Sequence, residues 1–478
     1  MAPNWEWENF ESVIKSYQTY VSDPGVLMGP VQRFSITRDA GLRLVFETHA
    51  PIDAKENGVR HLAGTVRENI DRVEFSSELG LELIAEGVQP RSTRTIFDSE
   101  KGIEEVQQGG TIHRLEGILP PKDRKTGYVI EWIANLESTF IWPDGTEDVV
   151  ETKQSRRIGS GSADPVITAS RRENHSSSNA VRLEIGGRTL YVCSVRQEVA
   201  KDVRKPGYIL YMGDVSEDFR RRVKTCLSLT MGRYLVHLGH ACFSTDWSLL
   251  QFEAVSSYSI GGNVFKLPTV LPAPLHLTWE WGIDRTLLTR AVNAIYEKYE
   301  CLNLANVNWA YWHAVAATPH IAGVHYGALL ESLERSYLDS EDTKINRTLV
   351  ESGSWEALRP KLLKCVADEG LEKDVETVLK NKIASNLNNA PQSIVTQRVL
   401  SILGLTLGIR EGNAPSLVRN QSAHGKDDDI DNEWIRNLNI LRTRFHRMIL
   451  SMTNASDFYY DYFTIGRPVR RLGEPISD

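Results

Sequence analysis

The decapeptide Leu267-Pro268-Thr269-Val270-Leu271-Pro272-Ala273-Pro274-Leu275-His276 decides how the rest of the chain is read. Pro268, Pro272 and Pro274 each lack a backbone donor and disfavour helix in the residue before them. With its flanks the stretch reads as a linker over residues 266–283. Hydrophobic periodicity changes across it. Before it, apolar residues recur mostly at every second position; after it, they recur with a period near 3.6. The expected fold class is α+β. A mainly β N-terminal region over residues 1–265 precedes an all-α helical bundle over residues 284–478.

On the N-terminal side, Leu42, Leu44 and Phe46 alternate with Arg43, Val45 and Glu47, the pattern of a half-buried strand. Val181 to Ile185, then Gly186-Gly187, then Arg188 to Val192 predict a hairpin with a two-residue turn. Tyr128 to Trp142 and Tyr208 to Met212 carry further aromatic and β-branched runs, and one helix is predicted near Glu217 to Val236. Gln154 to Ala180 is rich in Ser, Gly and Arg. Its few apolar residues predict a long mobile loop, which would split the region into two sub-sheets near residues 154–180.

On the C-terminal side, Asp284 is placed to cap a helix carrying Leu287, Leu288, Ala291 and Ile295 on one stripe. Helical patterns follow from Trp309 to Tyr337, Trp355 to Cys365, Leu371 to Leu387 and Ser393 to Leu407. Trp434, Leu438, Leu441, Phe445, Met448 and Met452 then form an apolar seam on one long helix.

Composition narrows the function classes. Of 478 residues, 41% are apolar and 24% charged, an ordinary globular balance that excludes a fibrous or disordered chain. Sixty-two acidic residues against 55 basic ones give a net charge of −7, which argues against nonspecific coating of nucleic acid but leaves room for a local basic groove. From Asp284 onward there are 23 basic and 25 acidic residues, so neither part is a basic domain. The concentrated positive charge is local: Arg436, Arg442, Arg444, His446 and Arg447 on the last long helix, then Arg467, Arg470 and Arg471. Of these, Arg436, Arg442, Arg444 and Arg447 are the candidate phosphate-binding residues. Five scattered cysteines fit neither a disulfide framework nor a zinc site and suit a reducing cytosol. The acidic, aromatic N-terminus is unlike a secretion signal, and no apolar run approaches the ~20 residues of a membrane span.

Phosphate-loop, dinucleotide-loop, HExxH and GxSxG motifs are absent. His237 and His240 stand in an apolar run with no carboxylate or cysteine at ligand spacing and read as structural. One segment carries a workable chemistry: Ser416-Leu417-Val418-Arg419-Asn420-Gln421-Ser422-Ala423-His424-Gly425. Asn413 could cap a short helix there, with Pro415 in its first turn and Gly425 at its end. The fixed charge of Arg419 can hold a phosphate. His424, titrating near neutrality, can take a 2′-hydroxyl proton or protonate a leaving oxygen, with Asn420 to orient it. No metal or other cofactor is needed when the 2′-hydroxyl is the nucleophile. Asn420 and His424 share a helical face, whereas Arg419 and His424 lie about 140° apart. They converge only if the helix end unwinds or a second chain completes the site.

Spacing alone is weak evidence. An arginine and a histidine separated by four to six residues also occur at Arg43 and His49 and at Arg233 and His240. On a purely structural reading, Arg419 pairs with the carboxylates that follow and His424 caps a helix end. Only the third match combines a polar neighbour, a helical setting and a glycine stop. With Arg419-Asn420-x-x-x-His424-Gly425 in an all-helical region, the segment from about Leu287 to Arg471 resembles the HEPN superfamily, and within it the ApeA-like proteins of bacterial anti-phage defence. Trp309-Ala310-Tyr311-Trp312 and Ala328 to Glu334 resemble the opening helices of that group.

The resemblance implies an antiparallel helical bundle and a metal-independent endoribonuclease acting in abortive infection. It also implies a homodimer, or higher oligomer, that brings two copies of Arg419 and His424 to one cleft. The N-terminal β region would then sense a phage-derived trigger or restrain the nuclease. A noncatalytic alternative stands beside it: an RNA- or nucleotide-binding adaptor whose β region holds a protein partner. The acidic run Asp427, Asp428, Asp429, Asp431 and Glu433 departs from what an RNA cleft needs. It reads as a solvated loop with Asp431 capping the next helix, or as carboxylates that hold Arg419 when RNA is absent. Glu331 and Glu334 are expected in a surface or interhelical ion pair, with orientation of the site as the other possibility.

Overall fold

The computed structural model describes residues 6–56, 71–98, 103–136, 142–158, 166–195, 199–200, 203, 205–257, 267–276, 282–340, 345–423 and 432–476. The chain divides into two compact units. The first comprises Met1–Ser228, Arg233–Pro268 and Leu275–Tyr296; the second comprises Leu229–Gly232, Thr269–Pro274 and Glu297–Asp478.

The first unit is built on an eleven-stranded sheet whose neighbours all pair antiparallel. In spatial order its strands are Tyr20–Asp23, Arg72–Ser76, Glu82–Glu86, Arg114–Ile118, Leu249–Val255, His237–Phe243, Tyr128–Ile133, Gly207–Met212, Arg188–Ser194, Val166–Ile185 and Asp144–Arg157. A four-stranded sheet, Arg33–Arg38, Leu44–Pro51, Ile103–Ile112 and Gln89–Asp98, shares its core, with Leu44, Phe46 and Ile112 clustered with Leu83, Leu115, Ile130 and Phe252. Leu44–Pro51 alternates buried and less buried positions as its sequence predicts. Tyr128–Ile133, central in the large sheet, is buried at nearly every position, as expected where both faces are covered. It ends at Ile133, short of Trp142.

The hairpin at Gly186-Gly187 forms as read: Ile185 pairs with Arg188, and both glycines have positive φ, which a two-residue turn between twisted strands requires. Among the described residues of Gln154 to Ala180, the expected loop is replaced by strand; residues 159–165 lie outside the described residues. Val166–Ile185 and Asp144–Arg157 are long antiparallel strands, in unbroken register from Thr146 opposite Ser177 to Arg157 opposite Val166, with a shift between Asp144 and Thr146. Consequently the large sheet runs through this region and is not divided there. A hydrophobic period was missing because both faces of the outer ribbon are exposed, so nothing selects apolar residues at alternate positions.

The helices are α1 (Phe10–Ser16), α2 (Glu217–Thr230), α3 (Arg285–Glu297), α4 (Leu304–Ala316), α5 (Pro319–Asp339), α6 (Ser352–Asp368), α7 (Lys373–Ser385), α8 (Gln392–Ile402), α9 (Ile409–Ala423) and α10 (Asn432–Thr453). Asp284 caps α3 as expected: the Leu287 N–H donates to its Oδ1 at 3.0 Å, while Leu288, Ala291, Val292 and Ile295 are buried. Most of α3 nevertheless belongs with the β unit, where Asn293 Nδ2 donates to the Glu184 carbonyl and its Oδ1 accepts from the Gly186 N–H. The long continuous segment of the helical unit therefore starts at Glu297, later than the period-3.6 pattern suggested. The described part of the proline stretch is packed too: Val270 is buried and donates to the Gly232 carbonyl at 2.9 Å.

The pattern expected from Trp309 to Tyr337 is two helices. Thr318 is extended before Pro319, as a residue preceding proline prefers, and Pro319 opens α5 where a missing N–H costs nothing. Helix α8 stops at Gly404, in positive φ. The Leu405 N–H reaches the Leu400 carbonyl at 2.9 Å and the Gly404 N–H the Ser401 carbonyl at 3.2 Å, the paired bonds of a glycine C-terminal cap. Helix α10 packs on both α5 and α9. Its expected seam is buried at Leu438, Leu441, Phe445, Met448 and Met452, but Thr443 through Leu450 are buried without interruption. This second half of α10, buried all round, is interior, whereas its first turns carry exposed Glu433, Ile435 and Arg436.

Candidate functional site

The motif helix α9 begins more than one turn earlier than its caps suggested, at Ile409. Its first turn is closed by Glu411, whose Oε2 accepts from the Gly408 N–H at 3.0 Å, the backward half of a capping box. Asn413 therefore lies inside the helix and Pro415 in its interior. Glu411 is wholly buried and does more than cap. Its Oε1 lies 2.5 Å from Arg447 NH1, and its Oε2 also accepts from the Ile476 N–H at 3.2 Å. Arg447 donates in addition to the Leu472 and Thr406 carbonyls. This network fixes the start of α9 against α10 and the C-terminal segment. Ala414 and Val418, fully buried, continue the same contact face along α9.

Arg419 and Asn420 follow Val418 in the last turns of α9. Helix α9 ends at Ala423, and His424, Gly425 and the acidic run to Asp431 lie outside the described residues. The run's last member, Glu433, sits exposed at the start of α10 with Arg410 NH1 at 3.1 Å and Arg436 NH1 at 3.8 Å.

The candidate phosphate-binding arginines separate into two groups. Arg436 is exposed. Arg442 donates from Nε to the Tyr326 hydroxyl at 3.1 Å and lies 5.9 Å from the Tyr462 ring centre. Arg444 and Arg447 are buried. The expectation that all four present one basic stripe is corrected here: because the second half of α10 is enclosed, Arg444 and Arg447 serve interior carboxylates. His446, in the same cluster, is also interior, with Nε2 2.9 Å from the Tyr311 hydroxyl. Burial, reinforced by the nearby Arg442 charge, holds its pKa well below the ordinary imidazole value. Of the arginines after α10, Arg470 pairs with buried Asp461 at 2.8 Å, while Arg467 and Arg471 are exposed.

Glu334 on α5 forms the interhelical pair expected of it. Its Oε1 lies 3.5 Å from Arg444 NH2, while Oε2 accepts from Gln392 Nε2 at 2.7 Å and Thr396 Oγ1 at 2.6 Å. Burial outweighs these partners and raises its carboxyl pKa. Burial likewise lowers that of Arg444. Both groups line a cavity of about 1060 Å³ bounded by α5, α8, the Gly404–Gly408 turn and the first turns of α9. Sequence reading did not find this cavity. Its one signal was the glycine spacing Gly404, Gly408, Gly412, with open space beside the backbone at Gly404 and Gly412.

In the β unit, His237 and His240 have the carboxylate partners that local spacing could not reveal. Glu131 Oε1, from the neighbouring strand, lies 2.7 Å from His237 Nδ1 and 2.8 Å from Lys224 Nζ, and its Oε2 accepts from the Tyr211 hydroxyl at 3.0 Å. Glu253, from the strand on the other side, lies 3.4 Å from His240 Nδ1 and 2.5 Å from Arg114 NH2. Burial alone would raise both carboxyls. Lys224 and His237 around Glu131, and His237, His240 and Arg114 around Glu253, reverse that and hold both well below the usual range. Such a cluster is charge-compensated, and its chemistry is that of a structural network. The two other Arg–His spacings are structural as well. Arg43 pairs with Asp39 at 2.7 Å and His49 sits between Glu105 and Glu47, while burial lowers the Arg233 pKa to about 10.

No family model, no curated protein and no solved structure matches the chain significantly. No helix among the described residues is long and apolar enough to cross a membrane.

Proposed function

We propose that the helical unit is a metal-independent endoribonuclease of the HEPN type, acting in the reducing cytosol as part of an abortive anti-phage response. The observation that carries this reading is the Arg419-Asn420-x-x-x-His424-Gly425 motif, whose Arg419 and Asn420 lie in the last turns of α9, inside a mainly helical unit with one short hairpin, Phe458–Tyr460 with Val469–Arg471. Around it, α9 is anchored by the buried Glu411–Arg447 pair, so a rigid element carries Arg419 and Asn420. In the proposed step the RNA 2′-oxygen attacks phosphorus, the P–O5′ bond breaks and a 2′,3′-cyclic phosphate forms. His424 takes the 2′-hydroxyl proton or delivers one to the departing 5′-oxygen. Arg419 stabilises the charge on the pentavalent phosphorus, and Asn420 orients His424 or the RNA. Exposed Arg436, Arg467 and Arg471 supply phosphate contacts outside the cleft. A homodimer would bring two motif copies together, and the β unit would receive the trigger.

The test is cleavage of single-stranded RNA in excess EDTA. Cyclic-phosphate ends, or their hydrolysis products, are expected from the wild-type chain. His424→Ala should lower the rate ~10²–10⁴-fold with the melting temperature nearly unchanged. Arg419→Ala should inactivate and also weaken RNA binding. Arg43→Ala, at one of the chance Arg–His spacings, should leave the rate intact. A strict Mg²⁺ requirement with 5′-phosphate products would overturn the mechanism. Full activity of His424→Ala would move the reading to the noncatalytic adaptor.

A further inference from the structure

The outermost strand of the large sheet, Asp144–Arg157, pairs on one side with Val166–Ile185; among the described residues its other side has no strand partner. Val149 through Arg156 are exposed, and so are Val166 through Arg172 opposite them. The outer part of this ribbon therefore stands in water on both faces, carrying Val149, Val150, Val166 and Ile167 in the open. A two-stranded ribbon without further cover is marginal, and a long open edge is a template for another strand.

The sequence of that edge specifies which strand. Glu147, Asp148 and Glu151 fill its first half; Lys153, Arg156 and Arg157 fill its second. Consider a second copy laid antiparallel along it with Thr152 opposite Thr152. Glu151 then faces Lys153, Asp148 faces Arg156, and position 147, a glutamate, faces position 157, an arginine. Every charged residue from 147 to 157 meets an opposite charge, and two-fold symmetry makes each match twice. Val149 faces Ser155 and Val150 faces Gln154, so the valines do not oppose a charge. A slip that sets Thr152 opposite residue 151 or 153 leaves a single opposite-charge pair. A larger slip sets Glu151 opposite Glu151, or Lys153 opposite Lys153. Directly opposite pairs on one face interact, and like charges there are destabilising, so the pattern selects one register.

We propose that Asp144–Arg157 is a dimerisation edge, which joins two copies of this chain through an antiparallel pairing centred on Thr152. The contact is isologous, as a closed two-fold interface must be, and turns two marginal ribbons into one four-stranded sheet. It does not depend on the ribonuclease reading, because it lies on the β unit and uses none of the motif residues.

The test uses the full chain with the two exposed cysteines replaced, Cys301→Ser and Cys365→Ser. Adding Thr152→Cys should give a disulfide-linked pair of chains under mild oxidation, because facing strand positions lie within disulfide reach. Val149→Cys should not, since in this register the two copies of residue 149 are about 20 Å apart. Glu151→Lys should raise the dissociation constant about tenfold, by sedimentation velocity, because Lys then faces Lys153 twice. Glu151→Lys combined with Lys153→Glu should restore association to near wild type, which no simple loss of folding would do. Linking through Val149→Cys in preference to Thr152→Cys, no linking at either position, or association indifferent to both charge changes would each overturn the proposal. Association that depends on the edge only when another protein is added would overturn it too, in favour of a foreign strand.

Discussion

The charge clusters around Glu131 and Glu253 in the β unit and around Glu334 in the helical unit respond to burial in opposite ways. In the β unit, Glu131 and Glu253 are surrounded by Lys224, Arg114, His237 and His240, and the cations win over burial, so both carboxyls stay ionised. In the helical unit burial wins at three groups: Glu334 is pushed up, Arg444 is pushed down, and His446 is held neutral. The difference follows from geometry. A sheet lets three adjacent strands and one helix aim side chains at a single point, so compensation is easy to assemble. An enclosed stretch of helix such as the second half of α10 turns a new residue inward every 100°, and its polar groups take whatever partner the facing helix offers. Residues whose charged forms are disfavoured gather at sites that do chemistry or bind, which makes the cavity beside Glu334 and Arg444 the better place to look for ligand response.

The largest expected effect tests a buried ion pair in the helical unit, Glu411 with Arg447. Both are essentially fully buried. Arg447→Met leaves an unpaired carboxylate in the interior, which typically costs ~3–5 kcal/mol. Urea unfolding followed by hydrogen exchange in the helical unit measures it. A loss under about 1 kcal/mol would mean that α9 is held by apolar packing alone, and the rigidity assigned to the motif helix would lose its basis.

Glu131→Ala is the matching change in the β unit and should be milder, about 2 kcal/mol: it strands the buried Tyr211 hydroxyl, but Lys224 and His237 are not sealed in. Lys224 and His237 keep roughly a quarter of their side-chain surface and can turn to water. Exchange protection in the strand Tyr128–Ile133 reports it. An effect as large as that of Arg447→Met would erase the contrast between compensated and uncompensated interiors.

Acid should separate the units next. His446 has a folded-state pKa below its unfolded value, so below about pH 6.5 the unfolded chain binds more protons and the helical unit loses stability as pH falls. Glu131 and Glu253 are depressed carboxyls. Their contribution is fully present above about pH 4.3 and is lost only as pH falls toward their low folded values. The helical unit should therefore weaken first between pH 7 and 5, with the β unit holding until below about pH 4. Glu334, with its raised pKa, titrates in the opposite sense, so the comparison with His446→Gln isolates the imidazole. If His446→Gln leaves the acid profile unchanged, another group sets it.

What the sequence made legible was whatever is decided locally. The Gly186-Gly187 hairpin, the Asp284 cap and the seam on α10 each depend on residues within a few positions of one another, and each formed. What it hid was decided at a distance or by solvent. His237 and His240 looked partnerless because Glu131 and Glu253 arrive from strands far away in sequence. The ribbon of Asp144–Arg157 and Val166–Ile185 read as loop because its exposed faces exert no pressure for alternation. Arg444 and Arg447 read as a surface stripe because one seam was assumed where α10 is buried without interruption from Thr443 to Leu450. At the candidate site, the chemistry of Arg419, Asn420 and His424 was legible as residue types, while the cavity beside Glu334 needed four separated segments to meet.

The smallest effect on stability should come from the one candidate phosphate contact on α10 that stayed in solvent. Arg436→Ala removes an exposed guanidinium whose neighbour Glu433 lies 3.8 Å away and is itself in water, so the unfolding free energy should move by less than ~0.5 kcal/mol. Its functional consequence should be separable. If Arg436 contacts RNA backbone as proposed, the variant should bind single-stranded RNA more weakly whatever the sequence, and the slope of log affinity against log salt should fall by about 0.7, one released counterion on a single strand. Arg436→Lys should keep most of that slope, since a point charge suffices for a phosphate. The buried counterpart gives the contrast: Arg447→Met should lower affinity only to the extent that it unfolds the helical unit. A salt slope unchanged by Arg436→Ala would place the RNA path elsewhere on the surface, with the exposed pair Arg467 and Arg471 next to be tried.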